Sequence, residues 1–422
     1  MRIRVLVLVS LLAAFSGAVA ASTAQTETMS LKQAIALAQS HNPQVRGAFH
    51  RWESANHQII QHYTPADPEV SYLDSDSPNY WLGGNSGLHN LTVTQALQFP
   101  GKGLLQGRTA QRSAEIARLV YAASVRDVRA QVETNYYQVQ LDMALLDLIA
   151  ENVDNLRHVL KVTQIAYTAS LATQGDFINA KFALEAENEL LRQEKVTLAN
   201  DKTSFNILLA RRPDEPLEVE RNFDLTGVEP ALDEIVARAV ANRQEILEAA
   251  LTEKNQETAL TLARLEYAPD YSLGFGFDHW LIPSFAPTPS HTQDYNFTIA
   301  FNLPVFFWSK NEDYRRATQD LAAAKEDLAS IRLQTEGQVT TLYRQMLRAR
   351  ETALLYRNTL IPLAHQAFQV MLVAYQNGKV DFISLIAAFR QEHDARSAYL
   401  QAVNQLLAGK VALEQAAGGS VQ

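Results

Sequence analysis

The sequence predicts a mainly α-helical fold that contributes four β-strands to a transmembrane β-barrel shared between subunits. An ordered set of motifs occurs twice along the 422 residues, which indicates a duplicated plan of helix, β-hairpin, long helix and long helix. Alanine-rich charged segments with apolar residues at every third or fourth position predict very long helices. Short segments of strict polar and apolar alternation predict the strands.

The N-terminal residues 1–20 have the pattern of a secretory signal peptide. Two arginines precede an apolar core from Val5 to Ala18, and Ala18-Val19-Ala20 forms a small-x-small cleavage site. A membrane anchor is the alternative, but the apolar segment is short and ends in the processing motif. We therefore expect an exported protein that loses this segment.

Composition excludes several classes of protein. Without the two signal arginines the chain has 35 basic and 46 acidic residues, a formal charge of −11, so nucleic acid is not an expected partner. There is no cysteine, so packing alone must hold an exported fold together, and N-terminal acylation at cysteine is impossible. After residue 20 no run of about 18 apolar residues occurs, so a membrane span would have to be made of strands.

The two copies of the plan are predicted at residues 21–230 and 231–422. In the first copy the β-hairpin spans about 67–99 and the long helical hairpin about 101–211, followed by a linker. In the second copy they span about 270–304 and 308–417. The landmarks recur in order: Tyr63-Thr-Pro65 matches Tyr267-Ala-Pro269, and the segment ending at Pro100 matches the one ending at Pro304. Each match is weak alone, but the ordered set is strong.

The predicted helices are longer than a globular core needs. A single helix is expected over 31–62 and another over 231–266, ahead of the strands. From Gly101 to the turn near Ser170 the helix would run for roughly 100 Å. In the second copy apolar residues recur as in a coiled coil, and Pro362 is expected to break the helix locally.

The strands are predicted from alternation between an apolar and a polar face. The ten residues from Tyr271 to Trp280 match the length of a tilted strand that crosses a bilayer. The predicted lipid-facing side chains are Tyr271, Leu273, Phe275 and Phe277 in one strand and Phe297, Ile299 and Phe301 in the next. The small or polar residues between them, such as Gly274 and Asp278, would face water.

Aromatic residues collect at the strand ends, which predicts two membrane-interface girdles. The girdle residues are Tyr80, Trp81 and Trp280 toward the loops, and Phe306, Phe307 and Trp308 toward the helices. A small soluble sheet packed on helices is the alternative. Because four strands cannot close a barrel, subunits must share one: two chains would supply eight strands, and three would supply twelve with room for a channel.

Motifs typical of catalytic or metal-binding sites are scarce in the sequence. His50, His57 and His62 lie on one predicted helix, but their spacing does not make a metal clamp, so surface histidines are the favoured interpretation. We expect no metal site and no cofactor. No phosphate-binding glycine loop, nucleophile elbow or triad order occurs, so we do not expect an enzyme.

With these features the mature chain resembles the TolC-type outer-membrane efflux factors over essentially its whole length. The features that carry the resemblance are the duplicated plan, the opening Leu31-x-x-Ala-Ile-x-x-Ala-x-x-x-Asn-Pro43, the prolines that close each hairpin, and the tip motif Ala374-Tyr-Gln-Asn-Gly-Lys-Val-Asp-Phe-Ile383. The Phe99-Pro-Gly-Lys-Gly103 junction is similar to the branch that serves heavy-metal pumps. The resemblance implies a homotrimer with a twelve-stranded barrel in the outer membrane and a helical tube across the periplasm.

The resemblance also implies partners and a gate. The tube would dock on a periplasmic adaptor (membrane-fusion) protein and on an inner-membrane pump driven by protons, and would itself conduct passively. The gate residues that match the family's tip motif are Asp176, Tyr375 and Asp381, with Lys379 in place of a missing basic residue and Ser384 in place of a second aspartate. The alternative role for these acids is to begin the return helices, where negative charge is favourable.

We therefore expect an outer-membrane channel for efflux or for a secretion system of similar design, anchored in outer-membrane lipid and extending into the periplasm. The competing interpretation is a periplasmic coiled-coil scaffold whose strands form a soluble cap for contact with another protein.

Overall fold

The computed structural model describes residues 28–79, 84–223, 231–282 and 290–419. The predicted signal peptide therefore lies outside the described residues. Nine helices and four strands follow one another in two matching halves within these ranges. The helices are α1 (Leu31–His41), α2 (Pro43–Tyr63), α3 (Lys102–Thr168), α4 (Gln174–Leu208), α5 (Leu232–Asn242), α6 (Gln244–Leu265), α7 (Phe307–Leu355), α8 (Ile361–Gln376) and α9 (Phe382–Ala416).

The two helices that were expected ahead of the strands are each divided in two. Asn42 has an extended backbone, and its side chain accepts from the Gln44 N–H (2.8 Å) at the start of α2. Pro43 follows at the first helical position, where its missing N–H has no cost. In the second half Arg243 interrupts the helix in the same way without a proline. The single helices predicted over 31–62 and 231–266 were wrong in this respect.

The long helices have the predicted lengths. Helix α3 runs for 67 residues, and α4 returns along it for 35. In the second half α7 runs for 49 residues and continues into a π-helical turn, Tyr356–Leu360, before α8. Pro362 lies in the first turn of α8. The expected break is therefore a change of helical hydrogen bonding rather than an interruption, because the wider π-helical turn accommodates the proline.

The strands form one antiparallel sheet in the order β1 (Glu69–Asn79), β2 (Gly84–Leu97), β3 (Asp270–Ile282) and β4 (Ser290–Asn302). Each half contributes one hairpin, and β2 pairs with β3 to join the halves. Within the described strands, β1 and β4 each have one edge without a partner strand. The mainly helical, duplicated fold with four strands per chain is confirmed.

Apolar cores lie along the helices at separate levels. One cluster joins α1, α3 and α4 around Tyr136 and Phe205. A second joins α3, α4, α8 and α9 near the turns, around Phe368 and Leu385. A third, around Ile235 and Met346, joins α5, α7 and α9. The described residues include no helix with both the length and the apolar character of a membrane span.

Candidate functional site: the helical tip, the sheet and their junction

The first tip turn, between α3 and α4, is stabilised by caps. Ser170 has a left-handed backbone (φ 60°), which lets the Leu171 N–H donate to the carbonyl of Ala166 (2.8 Å). Thr173 then caps α4 in a reciprocal pair: its hydroxyl accepts from the Asp176 N–H (3.1 Å), and the Asp176 carboxylate accepts from the Thr173 N–H (2.9 Å). The sequence therefore fixes both ends of this turn locally.

The second tip turn, between α8 and α9, has the same design. Gly378 takes the left-handed position (φ 68°), and the Lys379 N–H donates to the carbonyl of Ala374 (2.9 Å). Asp381 caps α9, where its Oδ1 accepts from the Ser384 N–H (3.0 Å). Hydrogen bonds from Ser384 lower the pKa of Asp381, so this exposed carboxylate is held in its charged form.

The two predicted gate aspartates do not occupy equivalent positions. Asp381 is the N-cap residue of its helix, whereas Asp176 lies three residues inside, after the N-cap Thr173. The first hairpin therefore contains about one more helical turn before its Phe-Ile pair than the second. Accordingly, Asp176 lies nine residues after Tyr167, whereas Asp381 lies six residues after Tyr375. Both carboxylates also cap helices, which is the alternative role expected from the sequence.

Tyr375 is the buried member of the predicted gate. It is 6% exposed and packs edge-to-face on Phe382, with ring centroids 6.0 Å apart. Burial raises the pKa of Tyr375, and the negative charge of Asp176 adds to the effect, so these two residues lie within electrostatic reach. The Tyr375 hydroxyl is buried and lies near the side chain of Thr163, whose own hydroxyl donates to the carbonyl of Val159. Lys379 is exposed and forms no ion pair with the described acids.

The sheet separates apolar from polar side chains as the alternation predicted. Val70, Val93, Phe275 and Phe297 lie side by side on one face across all four strands. The remaining predicted lipid-facing residues lie in β3 and β4 on that same face. Phe306, Phe307 and Trp308 are exposed at the start of α7. Tyr80, Trp81 and the side chain of Trp280 lie outside the described residues, so their predicted interface role remains a prediction.

The polar face of the sheet contains a small amide–carboxylate network. Asn90 in β2 and Asn296 in β4 both donate to the carboxylate of Asp278 between them, the latter over 2.7 Å. Gly276 leaves the space that Asn296 occupies: an added Cβ would lie 2.7 Å from the Asn296 amide nitrogen. The network therefore depends on Gly276, although the alternation pattern indicated only a small residue on the polar face at this position.

A charged cluster at the junction of sheet and helices was missed from the sequence. Lys102 is 2% exposed, and its ammonium lies 2.9 Å from Asp270 Oδ1 and 3.2 Å from Glu266 Oε1. Lys310 pairs with the other oxygen of Glu266 (3.1 Å). Burial alone would lower the pKa of Lys102, but hydrogen bonds to the two carboxylates raise it. The only sequence signal was the position of Lys102 beside the hairpin-closing Pro100.

The described residues contain no group of three or more histidine, cysteine or carboxylate side chains arranged to hold a metal ion. A cavity of about 830 Å³ opens beside the base of the sheet between α2 and the β2–α3 connection. Its lining is mainly apolar, with Tyr63, Phe99 and Phe301 among the residues.

The chain is similar to known proteins over most of its length. It is 21% identical over 392 residues to the cobalt-zinc-cadmium resistance protein CzcC of Cupriavidus metallidurans, covering 92% of this chain and 90% of that protein. Its fold matches the outer-membrane channel OprN with a TM-score of 0.79 at 20% identity, covering 92% of this chain and 90% of that one. The outer membrane protein VceC of Vibrio cholerae also gives 0.79, at 15% identity, with 93% and 97% covered.

The model of the outer membrane efflux protein family matches residues 34–204 and 235–419, one segment in each half of the duplicated chain. These segments include both tip turns and all four strands, so the match covers the features that the sequence singled out. The chain belongs to the outer membrane efflux protein family.

Proposed function

We propose that three copies of this outer-membrane efflux channel close a twelve-stranded barrel, with the helices continuing it as a duct into the periplasm. The observation that supports this most is the four-stranded sheet whose outer strands, β1 and β4, each have a free edge in the described chain. Open edges are intolerable in lipid, because each unpaired backbone group costs several kcal/mol there. Eight strands enclose little space, whereas twelve leave room for a channel.

The apolar face of the sheet would contact lipid. Its predicted members include Phe275, Phe297 and Phe301, and each of these three is more than half exposed in the single chain. A soluble protein rarely leaves a continuous face of this kind uncovered. The exposed Phe306, Phe307 and Trp308 would lie at the periplasmic boundary of the membrane, where aromatic side chains are favoured.

The helical tip would contact neighbouring copies and a periplasmic adaptor. Apolar side chains near the turns are largely exposed in the single chain, including Phe182 on α4, Val370 on α8 and Ile383 on α9. Inter-subunit packing and docking of the adaptor would cover them. An inner-membrane pump driven by protons would supply the energy, while this chain conducts passively.

The tip would also be the gate. Around a threefold axis, copies of Asp381 and Asp176 would place negative charges close together, which attracts cations and opposes closure. Tyr375, Lys379 and Ser384 would complete the closed arrangement.

The similarity to a protein named for cobalt, zinc and cadmium resistance supports divalent metal cations as the exported class.

The proposal is tested by locating and reconstituting the protein. We expect it in the outer-membrane fraction as a trimer that migrates differently on gels before and after heating, and that forms discrete channels in planar bilayers. Deletion of its gene should increase sensitivity to zinc, cobalt or cadmium. Recovery as a soluble periplasmic protein without conductance would instead support the scaffold interpretation and refute the duct.

A further inference from the structure

A layer of polar side chains crosses α3, α4, α8 and α9, the four helices of the two tip hairpins, above the tip. We call it the polar belt; its members are Glu151 and Asn152 of α3, Glu187 of α4, His365 of α8, and Glu392, His393 and Arg396 of α9. It lies on the membrane side of the apolar cluster that surrounds Phe368 and Leu385. Glu187 is 14 residues from the cap of its helix, so the belt lies about 20 Å above the turn.

One part of the belt centres on Glu392, which is 8% exposed. Its Oε1 lies 2.8 Å from His365 Nδ1 and 3.0 Å from a guanidinium nitrogen of Arg396. The other terminal nitrogen of Arg396 donates to Glu151 over 2.8 Å. These contacts tie α8 to α9 and α9 to α3. His365 lies in the second turn of α8, five residues after the end of the π-helical turn, so the tie acts close to the irregular hydrogen bonding of this long helix.

The other part of the belt places His393 between two helices. The side-chain amide of Asn152 contacts His393 Nδ1. Because an amide carries both a donor and an acceptor, either tautomer of the neutral ring can bond to it. On the other side, Glu187 Oε1 lies 4.0 Å from the same Nδ1 and is buried without a hydrogen-bond partner. The neutral ring therefore bonds to α3 and leaves the α4 carboxylate unsatisfied.

Protonation would add an attraction to α4. A charged imidazole donates from both nitrogens, and the unsatisfied carboxylate oxygen of Glu187 lies 4.0 Å from its Nδ1. Protonation of the histidines also improves the charge balance of the belt. With neutral imidazoles, three carboxylates face one guanidinium; with His365 and His393 protonated, positive and negative charges balance.

We propose that the polar belt is an acid-strengthened clasp between the α3–α4 and α8–α9 hairpins. Histidine gains its proton between about pH 8 and pH 5, so acidification of the periplasm would tighten the packing of these helices, and alkaline conditions would loosen it. The inference rests on the proposed function in one respect: the tip below the belt is where the duct opens. The belt would make that opening depend on pH.

The test measures the separation of the two hairpins directly. The chain has no cysteine, so nitroxide labels can be attached at Glu185→Cys on α4 and Gln369→Cys on α8, both exposed positions. Labelled subunits are diluted with unlabelled ones, and distances are measured by pulsed electron spin resonance in the detergent-solubilised full chain at about pH 5 and pH 8. We expect a shorter and narrower distance distribution at the lower pH.

Two variants assign this change to the belt. His393→Gln can still bond to the Asn152 amide but cannot become charged, and Glu187→Gln removes the acceptor charge; each should abolish most of the pH-dependent shift. The matched control is His50→Gln, because His50 is exposed and pairs with Glu53 one turn along its own helix. The control should keep the full shift. A distribution that is identical at both pH values, or a full shift in His393→Gln, would refute the clasp.

The distances do not depend on conduction, so the two proposals fail in different ways. A trimer that conducts but shows no pH-dependent distance would overturn the clasp alone. A protein that shows the shift but never forms channels would overturn the duct and leave the clasp supported. If His393→Gln does not fold, Glu187→Gln provides the same test from the α4 side of the belt.

Discussion

The ammonium of Lys102, at the start of the first long helix, lies 2.9 Å from the carboxylate of Asp270, at the start of the third strand. The same carboxylate oxygen accepts from the Phe99 N–H over 2.7 Å. This contact joins the two halves of the duplicated chain where the sheet meets the helices. It therefore fixes the angle at which the strands leave the helical part of the molecule.

Replacing Lys102 with methionine should weaken this junction. Lys102→Met keeps most of the buried stem but leaves Asp270 and Glu266 without their shared cation. Breaking a buried ion pair costs about 3–5 kcal/mol, and we expect about 3 kcal/mol because both carboxylates are partly exposed. The melting midpoint of the purified protein, followed by circular dichroism, measures the effect.

The matched control is Arg118→Met. Arg118 pairs with Glu115 over 2.6 Å within one helix turn, and both side chains are nearly half exposed. Such surface pairs contribute about 0–1 kcal/mol. Equal losses of stability in the two variants would show that the buried position of Lys102 does not strengthen its ion pairs.

Asp142 should make the protein less stable as the pH rises. It is 2% exposed, and burial together with the carboxyl of Asp201 raises its pKa from 3.8 to about 7. Between about pH 4 and pH 7 the native state retains a proton that the unfolded chain has released, so stability falls with pH over that interval and stays low above it. Asp142→Asn should flatten this dependence and raise stability at pH 8 by about 3 kcal/mol.

The measurement is the melting midpoint as a function of pH, with Asp154→Asn as control. Asp154 is an exposed residue of the same helix paired with Arg157, so its replacement should change stability by less than about 0.5 kcal/mol. A wild-type profile that is flat between pH 4 and pH 8 would contradict the buried carboxyl pair.

The sequence predicted most of the fold because its signals are periodic and local. Alternation along β3 and β4 placed Phe275 and Phe297 on one face, and the repeat placed a long helical hairpin in each half. The helix break before Pro43 had a local sequence signal, the Asn-Pro pair, although we predicted one continuous helix there. The break at Arg243 had no such signal. Contacts between distant segments were not predictable: Lys102 and Asp270, or Asn152 and His393, are separated by a long stretch of chain and become neighbours only when the halves pack.

A methyl group at Gly276 should disturb the polar face of the sheet. Gly276→Ala would place a Cβ against the amide of Asn296, which must then move away and lose its 2.7 Å hydrogen bond to Asp278. We expect a loss of about 1 kcal/mol from this bond and a change in single-channel conductance, because Asp278 would then be held on the polar face by Asn90 alone. Gly274→Ala is the control, since its nearest neighbour would be at 3.4 Å. Identical conductance in both variants would exclude a structural role for the Gly276 space.

The proposed gate charge of Asp381 can be separated from its capping role, because asparagine caps a helix as well as aspartate does. Asp381→Asn keeps an oxygen that can accept from the Ser384 N–H but removes the negative charge, whereas Asp381→Ala removes both. If the charge acts at the gate, both variants should weaken the block of bilayer conductance by divalent cations several-fold. Only Asp381→Ala should also lose about 1 kcal/mol of helix stability. Asp381→Asn channels with unchanged block would show that the carboxylate serves only as a cap.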